Sequence, residues 1–425
     1  MRTASVQSES NLAEDFPPRV RRVYLSHALA SVGSNLLIPA FFFYATSVFH
    51  WDSIASLKLV SAEGVVYIVG ALMARKLANY AGRRRGLLLI QVILASITAL
   101  AWAHPTPALV VVVLLLYTMV SASAWPMFES LISAGASADL LSRRIGLYNL
   151  IWSGVGTLTL AVSGVIIDHF LWGMFVIPML AHLVVIAILV GQQVSPAIEE
   201  ETGHAAPEPA LAAQRRLALQ LSRIGLPATY TVLYSLVALM PSLAVIESFG
   251  PADRTAIASI WMATRFAAFA VLGFTAWWHT RPRLLLWSAV LMLAAFLGVT
   301  LRGADLAGHP GSPVTAMDQW LMIGWQIPLG ITMGVIYSGS LYFGMVLSEG
   351  STEHGGYHEA LIGVGQVVGP AAALAAQRVR PDDHVAAVTA VAGVLTMTLL
   401  AAAAVTIHHA IQSGSPAPTP PPPPD

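Results

Sequence analysis

Four ionisable residues stand inside stretches that are otherwise apolar: Lys58, Glu63, Glu129 and Arg265. A charge in such surroundings must be paired, reached by water or put to use. Glu63 is the candidate proton carrier, because a carboxyl group out of water holds its proton more tightly than one in water. A hydrogen-bonded or ion-paired structural role is the other reading. Arg265 follows Trp261 by one helical turn and could bind an anionic solute or neutralise Glu63. Lys58 can extend its stem to an interface, and Glu129 can anchor a loop or gate. Other polar and aromatic groups recur every four residues, which keeps them on one helix face. They are His27, Ser31 and Asn35 with Ser34 beside them, then Tyr117, Ser121, Trp125 and Glu129. Tyr230 with Tyr234, and Gly363 with Gln366 and Pro370, repeat the pattern. Such stripes line a water-filled path or pack helix against helix. On the first reading, the solute contacts are Asn35, Glu63, Tyr230, Tyr234, Trp261, Arg265 and Gln366.

Signatures of enzymatic chemistry are poor. His358-Glu359 begins like a His-Glu-x-x-His zinc motif, but the second His is missing. Glu353, His354, His358 and Glu359 could gather round a metal, yet Gly355-Gly356 is expected to interrupt the helix that would align them. No Gly-x-Ser-x-Gly elbow and no phosphate-binding loop occurs, so neither hydrolysis nor ATP-driven work has support within the chain. With no Cys, disulfides, thiolate metal sites and thiol nucleophiles are excluded. A net charge of 0 leaves no basic footprint for nucleic acid. No cofactor, no metal and no enzyme activity are expected.

The elements that must hold these residues are membrane spans. Of 425 residues, 56% are hydrophobic and only 10% are Asp, Glu, Lys or Arg, against roughly 25% charged in soluble domains. No charge falls in 86–128 or 319–348, and Asp168 alone interrupts 145–198. A bilayer core of roughly 30 Å needs about 20 mostly apolar residues per helix. Apolar runs mark twelve of them, near 23–46, 54–74, 86–103, 108–132, 145–166, 171–190, 224–248, 255–278, 284–301, 319–347, 359–377 and 385–408. They must be helices, since no backbone hydrogen bond can be left open in hydrocarbon. The first run, about 24 residues, is too long for a signal-peptide core and reads as a retained span. With the N-terminus inside, 16 of the 22 Lys and Arg fall in inside segments and 4 outside. That bias puts both termini in the cytoplasm of a cell whose inner (plasma) membrane holds the chain.

The expected organisation is a cytoplasmic segment 1–22, a six-helix bundle 23–190, a linker 191–223, a second bundle 224–409 and a proline-rich tail 410–425. The linker carries Glu199-Glu200-Glu201, Pro207 and Pro209, and then 211–221 with apolar residues at helical spacing. It reads as an acidic flexible stretch followed by a short interfacial helix. The two bundles share a repeat. Gly146-Leu147-Tyr148 and Gly154-Val155-Gly156 at the start of span 5 return as Gly355-Gly356-Tyr357 and Gly363-Val364-Gly365 at the start of span 11, 209 residues later. Small residues at this spacing let membrane helices approach closely.

The loop after span 2 reads Arg75-Lys76-Leu77-Ala78-Asn79-Tyr80-Ala81-Gly82-Arg83-Arg84-Arg85. It resembles the Gly-x-Leu-Ala-Asp-Arg-x-Gly-Arg-Arg-Arg loop of the major facilitator superfamily, matching at Leu77, Ala78, Gly82 and the three arginines. With twelve spans in two halves, the resemblance covers residues 20–410. It implies an all-α polytopic membrane protein of two pseudo-symmetric six-helix halves. It also implies a secondary transporter that moves a small organic solute by alternating access, with protons as the expected coupling ion. The protein would act as a monomer in the lipid bilayer, its central cavity lined by helices 1, 4, 7 and 10. In the family this loop's carboxylate helps close the cytoplasmic side; Asn79 here lacks the charge. Asn79, Gly82 and Arg83 are therefore gate candidates together with Arg143 and Arg144 in loop 4–5 and Glu349, Glu353 and Glu359 in loop 10–11. Opposite charges at repeat-related positions could pair across the halves. The family's antiporter pattern puts Gly-Pro at the end of span 5. Here the pair is Gly369-Pro370 in span 11, which weakens a drug/proton efflux reading. A non-transporting receptor or assembly scaffold on the same fold is the alternative from another class.

Overall fold

A computed structural model describes residues 16–136, 138–191, 209–309, 311–347, 352–381 and 383–414. Glu349, the acidic stretch of the linker and the proline tail lie outside the described residues, and so does the side chain of Glu353. Among the described residues, twelve helices are long and apolar enough to cross a bilayer: Pro18–Phe49, Ser53–Ala81, Arg83–Ala103, Pro107–Ser133, Arg143–His169, Gly173–Val190, Arg216–Ser242, Pro251–Gly273, Arg283–Thr300, Ala316–Gly344, Gly355–Val379 and His384–Ile411. These are spans 1 to 12. Their outward faces carry exposed Val65, Leu158, Trp287 and Met397, among others, as a surface solvated by hydrocarbon does. The side of the bundle where span 1 begins is called the near side, and the opposite one the far side.

Packing follows the repeat. In the first half span 1 packs on spans 5 and 6, span 3 on span 6, and spans 2 and 3 on span 4. In the second half span 7 packs on spans 11 and 12, span 9 on span 12, and spans 8 and 9 on span 10. Each pair in one list has its counterpart six spans later in the other. The halves meet along two seams related in the same way, span 2 against span 11 and span 5 against span 8.

The repeated glycines occupy equivalent places in this pattern. A Cβ at Gly154 would meet Phe266 of span 8 at 2.9 Å, and one at Gly363 would meet Ile68 of span 2 at 2.6 Å. A Cβ at Gly156 would meet Asn35 of span 1, and one at Gly365 would meet the Pro227 carbonyl and Tyr230 of span 7. The tyrosines diverge: Tyr148 is buried and Tyr357 is exposed.

Two expectations about local structure are corrected. Residues 211–221 do not form a separate interfacial helix but the start of one continuous helix, Pro209–Leu239, that becomes span 7. Ala218, Leu221 and Ser222 are buried, the first two packing in a cluster with Trp278, Leu285 and Phe343. Their apolar face is thus used by the bundle. Gly355-Gly356 likewise remains helical within Thr352–Val379, because those glycines seat the helix close to Pro126 and Ala71 of the other half.

Three spans break along their length, and a fourth loses regularity at its end. Span 1 breaks between Leu37 and Phe41, at Pro39, whose ring offers no N–H. Span 4 breaks at Ser123, whose hydroxyl donates to the Gly70 carbonyl of span 2 at 2.6 Å. Span 7 ends in a 3-10 turn at Met240–Ser242, and span 8 breaks at Ser259. Spans 2 and 3 are joined by Gly82 alone, at φ 76°, a left-handed conformation that favours glycine.

Glycine contacts give a stability test. A Cβ at Gly70 would stand 1.9 Å from the Met119 carbonyl of span 4, whereas one at exposed Gly324 meets nothing within 4 Å. Gly70→Ala should therefore destabilise the chain by about 1–3 kcal/mol, and Gly324→Ala should stabilise it by about 0.5–1 kcal/mol. Thermal unfolding of the two variants in one detergent measures both signs.

Candidate functional site

Midway along the spans the two halves border a cavity of about 120 Å³. Span 1 supplies His27, Ser31, Ser34 and Asn35, all four members of its polar stripe. Span 7 supplies Tyr230 and Tyr234, and span 8 supplies Trp261 and Arg265. These four are among the solute contacts expected from the sequence. Tyr67 of span 2, Tyr148 and Trp152 of span 5, and Glu359 of span 11 also line the cavity, a role that no spacing or composition marks for them. Tyr148 does belong to the repeated motif.

Arg265 is the only Lys or Arg among the described lining residues. It is 2% exposed. Its guanidinium carbon lies 4.5 Å from the Trp152 ring centroid and 4.9 Å from that of Trp261, which holds the cation by its attraction to the ring faces. Its Nε has no hydrogen-bond partner, and no carboxylate among the described residues pairs with it. Of the two roles open to Arg265, binding an anionic solute or neutralising Glu63, the second is not realised: Glu63 accepts from Thr118 instead. Tyr230, Tyr234 and Tyr337 continue the aromatic wall, with ring centroids 5.9 Å and 6.3 Å from Tyr230 to the other two. Span 10 also holds the floor of this region in place. Gln326 accepts from the Trp261 N–H at 3.3 Å, satisfying a donor that the break at Ser259 sets free.

Other nominated residues lie elsewhere. Glu63 is fully buried between spans 2 and 4, where Thr118 donates to it at 3.5 Å, and it does not line the cavity. Gln366 is also fully buried behind the wall. The span 4 stripe splits. Tyr117 turns to His182 of span 6 at 2.9 Å, and His182 reaches Gln91 of span 3 at 2.7 Å, while Trp125 lines the cavity. The break at Ser123 rotates the two parts of the stripe relative to each other.

Both rims of the cavity are packed. On the near side Gly146 of span 5 touches Gly273 of span 8, where a Cβ on the first would stand 2.7 Å from the second's Cα. On the far side the Gly164 N–H donates to the Thr255 hydroxyl at 2.9 Å, and Gln377 donates to Ser53 at 3.3 Å.

A twelve-span chain built as two matching halves round one central cavity also has a matching sequence profile. That of the Major Facilitator Superfamily matches residues 23–406. The chain belongs to the Major Facilitator Superfamily. Among solved structures, the nucleoside transporter NupG superposes with a TM-score of 0.63 at 12% identity, covering 92% of this chain and 99% of that one. The human organic anion transporter MFSD10 (TETRAN) superposes with a TM-score of 0.56 at 14% identity, covering 91% and 100%. At these identities the likeness is one of fold. No curated protein matches the sequence.

In this superfamily member the motif loop does local work. Asn79 is exposed at the end of span 2, and Gly82 makes the turn into Arg83, which is half-buried. Arg84 donates to the Leu189 and Val190 carbonyls at 2.6–3.0 Å, capping span 6, whose last carbonyls carry partial negative charge. Arg144 does the same for span 4, donating to the Ile132 and Ala134 carbonyls at 3.0 and 3.3 Å. Arg143 is exposed. Glu359, expected in loop 10–11 among the gate candidates, is not in the loop. Span 11 begins before its apolar run, so Glu359 lies two turns inside it, on the cavity wall, and accepts from Tyr67.

An unpaired buried cation destabilises an unliganded fold. Arg265→Met should therefore raise the apparent Tm of the ligand-free protein, by the equivalent of about 1–4 kcal/mol. Differential scanning fluorimetry of purified protein checks it; a lower Tm would mean that the stacked guanidinium is structural.

Proposed function

We propose that this chain is a secondary active transporter that carries a small organic anion with a planar ring, by alternating access and with protons as coupling ion. The observation that carries the reading is Arg265, buried on the cavity wall between two tryptophans with no carboxylate partner. A planar ring stacks on Trp and Tyr faces, while a carboxylate or comparable anion completes the guanidinium. The same wall disfavours an organic cation, since a second positive charge would meet Arg265 out of water. This is why drug/proton efflux is the weaker alternative. The substrates for which the two structural neighbours are named, a nucleoside and an organic anion, are both compatible with an aromatic-lined site.

In this reading the six-helix bundles 23–190 and 224–409 are the moving units and 191–223 is their tether. The near side is cytoplasmic, a placement supported by the 16:4 distribution of basic residues. The two packed rims open in turn. The membrane is the cell's inner membrane, and the functional unit is the monomer.

Two measurements test this. In the naturally Cys-free chain, Asn35→Cys should react with a membrane-impermeant maleimide from either side of the membrane, because a transporter exposes its cavity alternately. Labelling from one side alone would favour a receptor or scaffold. In a thermal-shift panel, planar carboxylates should stabilise the wild type, by about 2.7 kcal/mol at a hundredfold excess over Kd, and should not stabilise Arg265→Met. Stabilisation by aromatic amines in place of carboxylates would sink the anion assignment.

A further inference from the structure

The ionisable groups of the cavity fall into two separate sets. Arg265 stands among the tryptophans. On the near side, Glu129, His358 and Glu359 bring their donor atoms within 4.8 Å of one another. Glu129 belongs to span 4 of the first half, and His358 and Glu359 belong to span 11 of the second. Tyr67 of span 2 donates to Glu359, so a second-half carboxylate is held by two spans of the first half. Both glutamates are 2% exposed, and neither Glu129 oxygen has a hydrogen-bond partner. The approach is built in. A Cβ at Gly355 would stand 2.8 Å from Glu129 Oε2, and one at Gly356 would stand 3.1 Å from the Ala71 carbonyl. Only glycines let span 11 come this near.

Among the described residues no Lys or Arg pairs with either glutamate. The titratable groups that face the pair are His27 of span 1, which stacks on Tyr148 at 4.1 Å, Tyr67 of span 2, Tyr148 of span 5, Tyr230 and Tyr234 of span 7, Tyr337 of span 10 and His358 of span 11. The ring of His358 is turned to Ser340, Nδ1 to Oγ at 3.1 Å. Arg265 is committed to Trp152 and Trp261. Two ionised carboxylates this close in a water-poor site repel each other. One proton makes either of them a donor to the other, so repulsion becomes a hydrogen bond across the boundary between the halves.

We propose that Glu129 and Glu359 share one proton, and that this shared proton latches the near side shut. When the proton passes to water on the near side, the carboxylates repel, spans 4 and 11 separate and the rim opens; reprotonation restores the latch. The inference rests on the alternating-access reading above and assigns its coupling group. Glu63, expected in that role, is away from the cavity wall, whereas Glu359 is on it.

The test needs no substrate. Spin labels at Tyr80→Cys and Thr280→Cys, both exposed on the near side and in different halves, report its opening by pulsed dipolar spectroscopy. The wild-type background should be closed at low pH. Its open-to-closed ratio should rise about tenfold per pH unit above a midpoint, the slope of one linked proton. Glu129→Gln, whose amide can donate to Glu359 without a proton, should stay closed throughout. Glu359→Gln should lose the pH response as well. Glu129→Asp should keep the response with a displaced midpoint, which separates loss of the latch from loss of the fold. His358→Gln should keep it too. A full pH response in either glutamine variant would overturn the proposal. So would a response lost only in His358→Gln, the absence of any response in the wild-type background, or opening governed at fixed pH by NaCl or MnCl2. Opening without pH dependence would discard the latch and leave alternating access intact.

Discussion

Helices in a bilayer gain nothing by burying apolar side chains against one another, because lipid tails are equally apolar. What holds them is dispersion between closely fitted backbones, and this chain depends on that fit at its two seams. Gly64 and Gly363 bring spans 2 and 11 together in the middle, while towards the near end Gly356 seats span 11 on span 2 and Gly355 seats it on span 4. Gly146 with Gly273, and Gly164 with Thr255, clasp spans 5 and 8 at opposite ends. The described polar ties across the seams are few, so the close backbone fit carries them. Packing inside each half follows one pattern twice.

The same seams decide what the interior can hold. Helix backbones that meet at glycines leave room beyond the contact, and the irregular spans 1, 4, 7 and 8 border that room. Buried polar groups there divide into two kinds. His182, Gln91 and Tyr117 satisfy one another within the first half, and Gln326 satisfies a freed backbone donor in the second. These are structural. Arg265 leaves its Nε without a partner, and Glu129 stands against Glu359 of the other half. Both lie where the two halves face each other, within reach of a solute or of the other half.

Much of the fold was legible in the sequence. Hydrophobic runs, scarce charges and a repeat 209 residues apart specify twelve helices and their division into halves, because hydrocarbon tolerates neither open backbone nor stray charge. The near edge of each element was less legible. Span 11 starts ahead of its apolar run, and span 7 absorbs a helix that amphipathicity alone would lay on the membrane surface. In both cases the polar or glycine-rich turn is buried against a neighbour that the local sequence does not contain.

For the site, four-residue spacing was enough for span 1, where His27, Ser31 and Asn35 share a face of unbroken helix and all meet the cavity. It failed for span 4, where a break at Ser123 turns Tyr117 away from Trp125. Composition by itself determined that the few charges inside spans had to be used or paired, since burying one unpaired is costly in any fold. Only tertiary structure decided which. Glu63 and Glu359 have the same side chain in similar apolar surroundings, and the difference between them is what stands opposite. Thr118 of its own half faces one; Tyr67 and Glu129 of the other half face the second. That distinction arises from the relative rotation and depth of helices hundreds of residues apart, which no local pattern encodes.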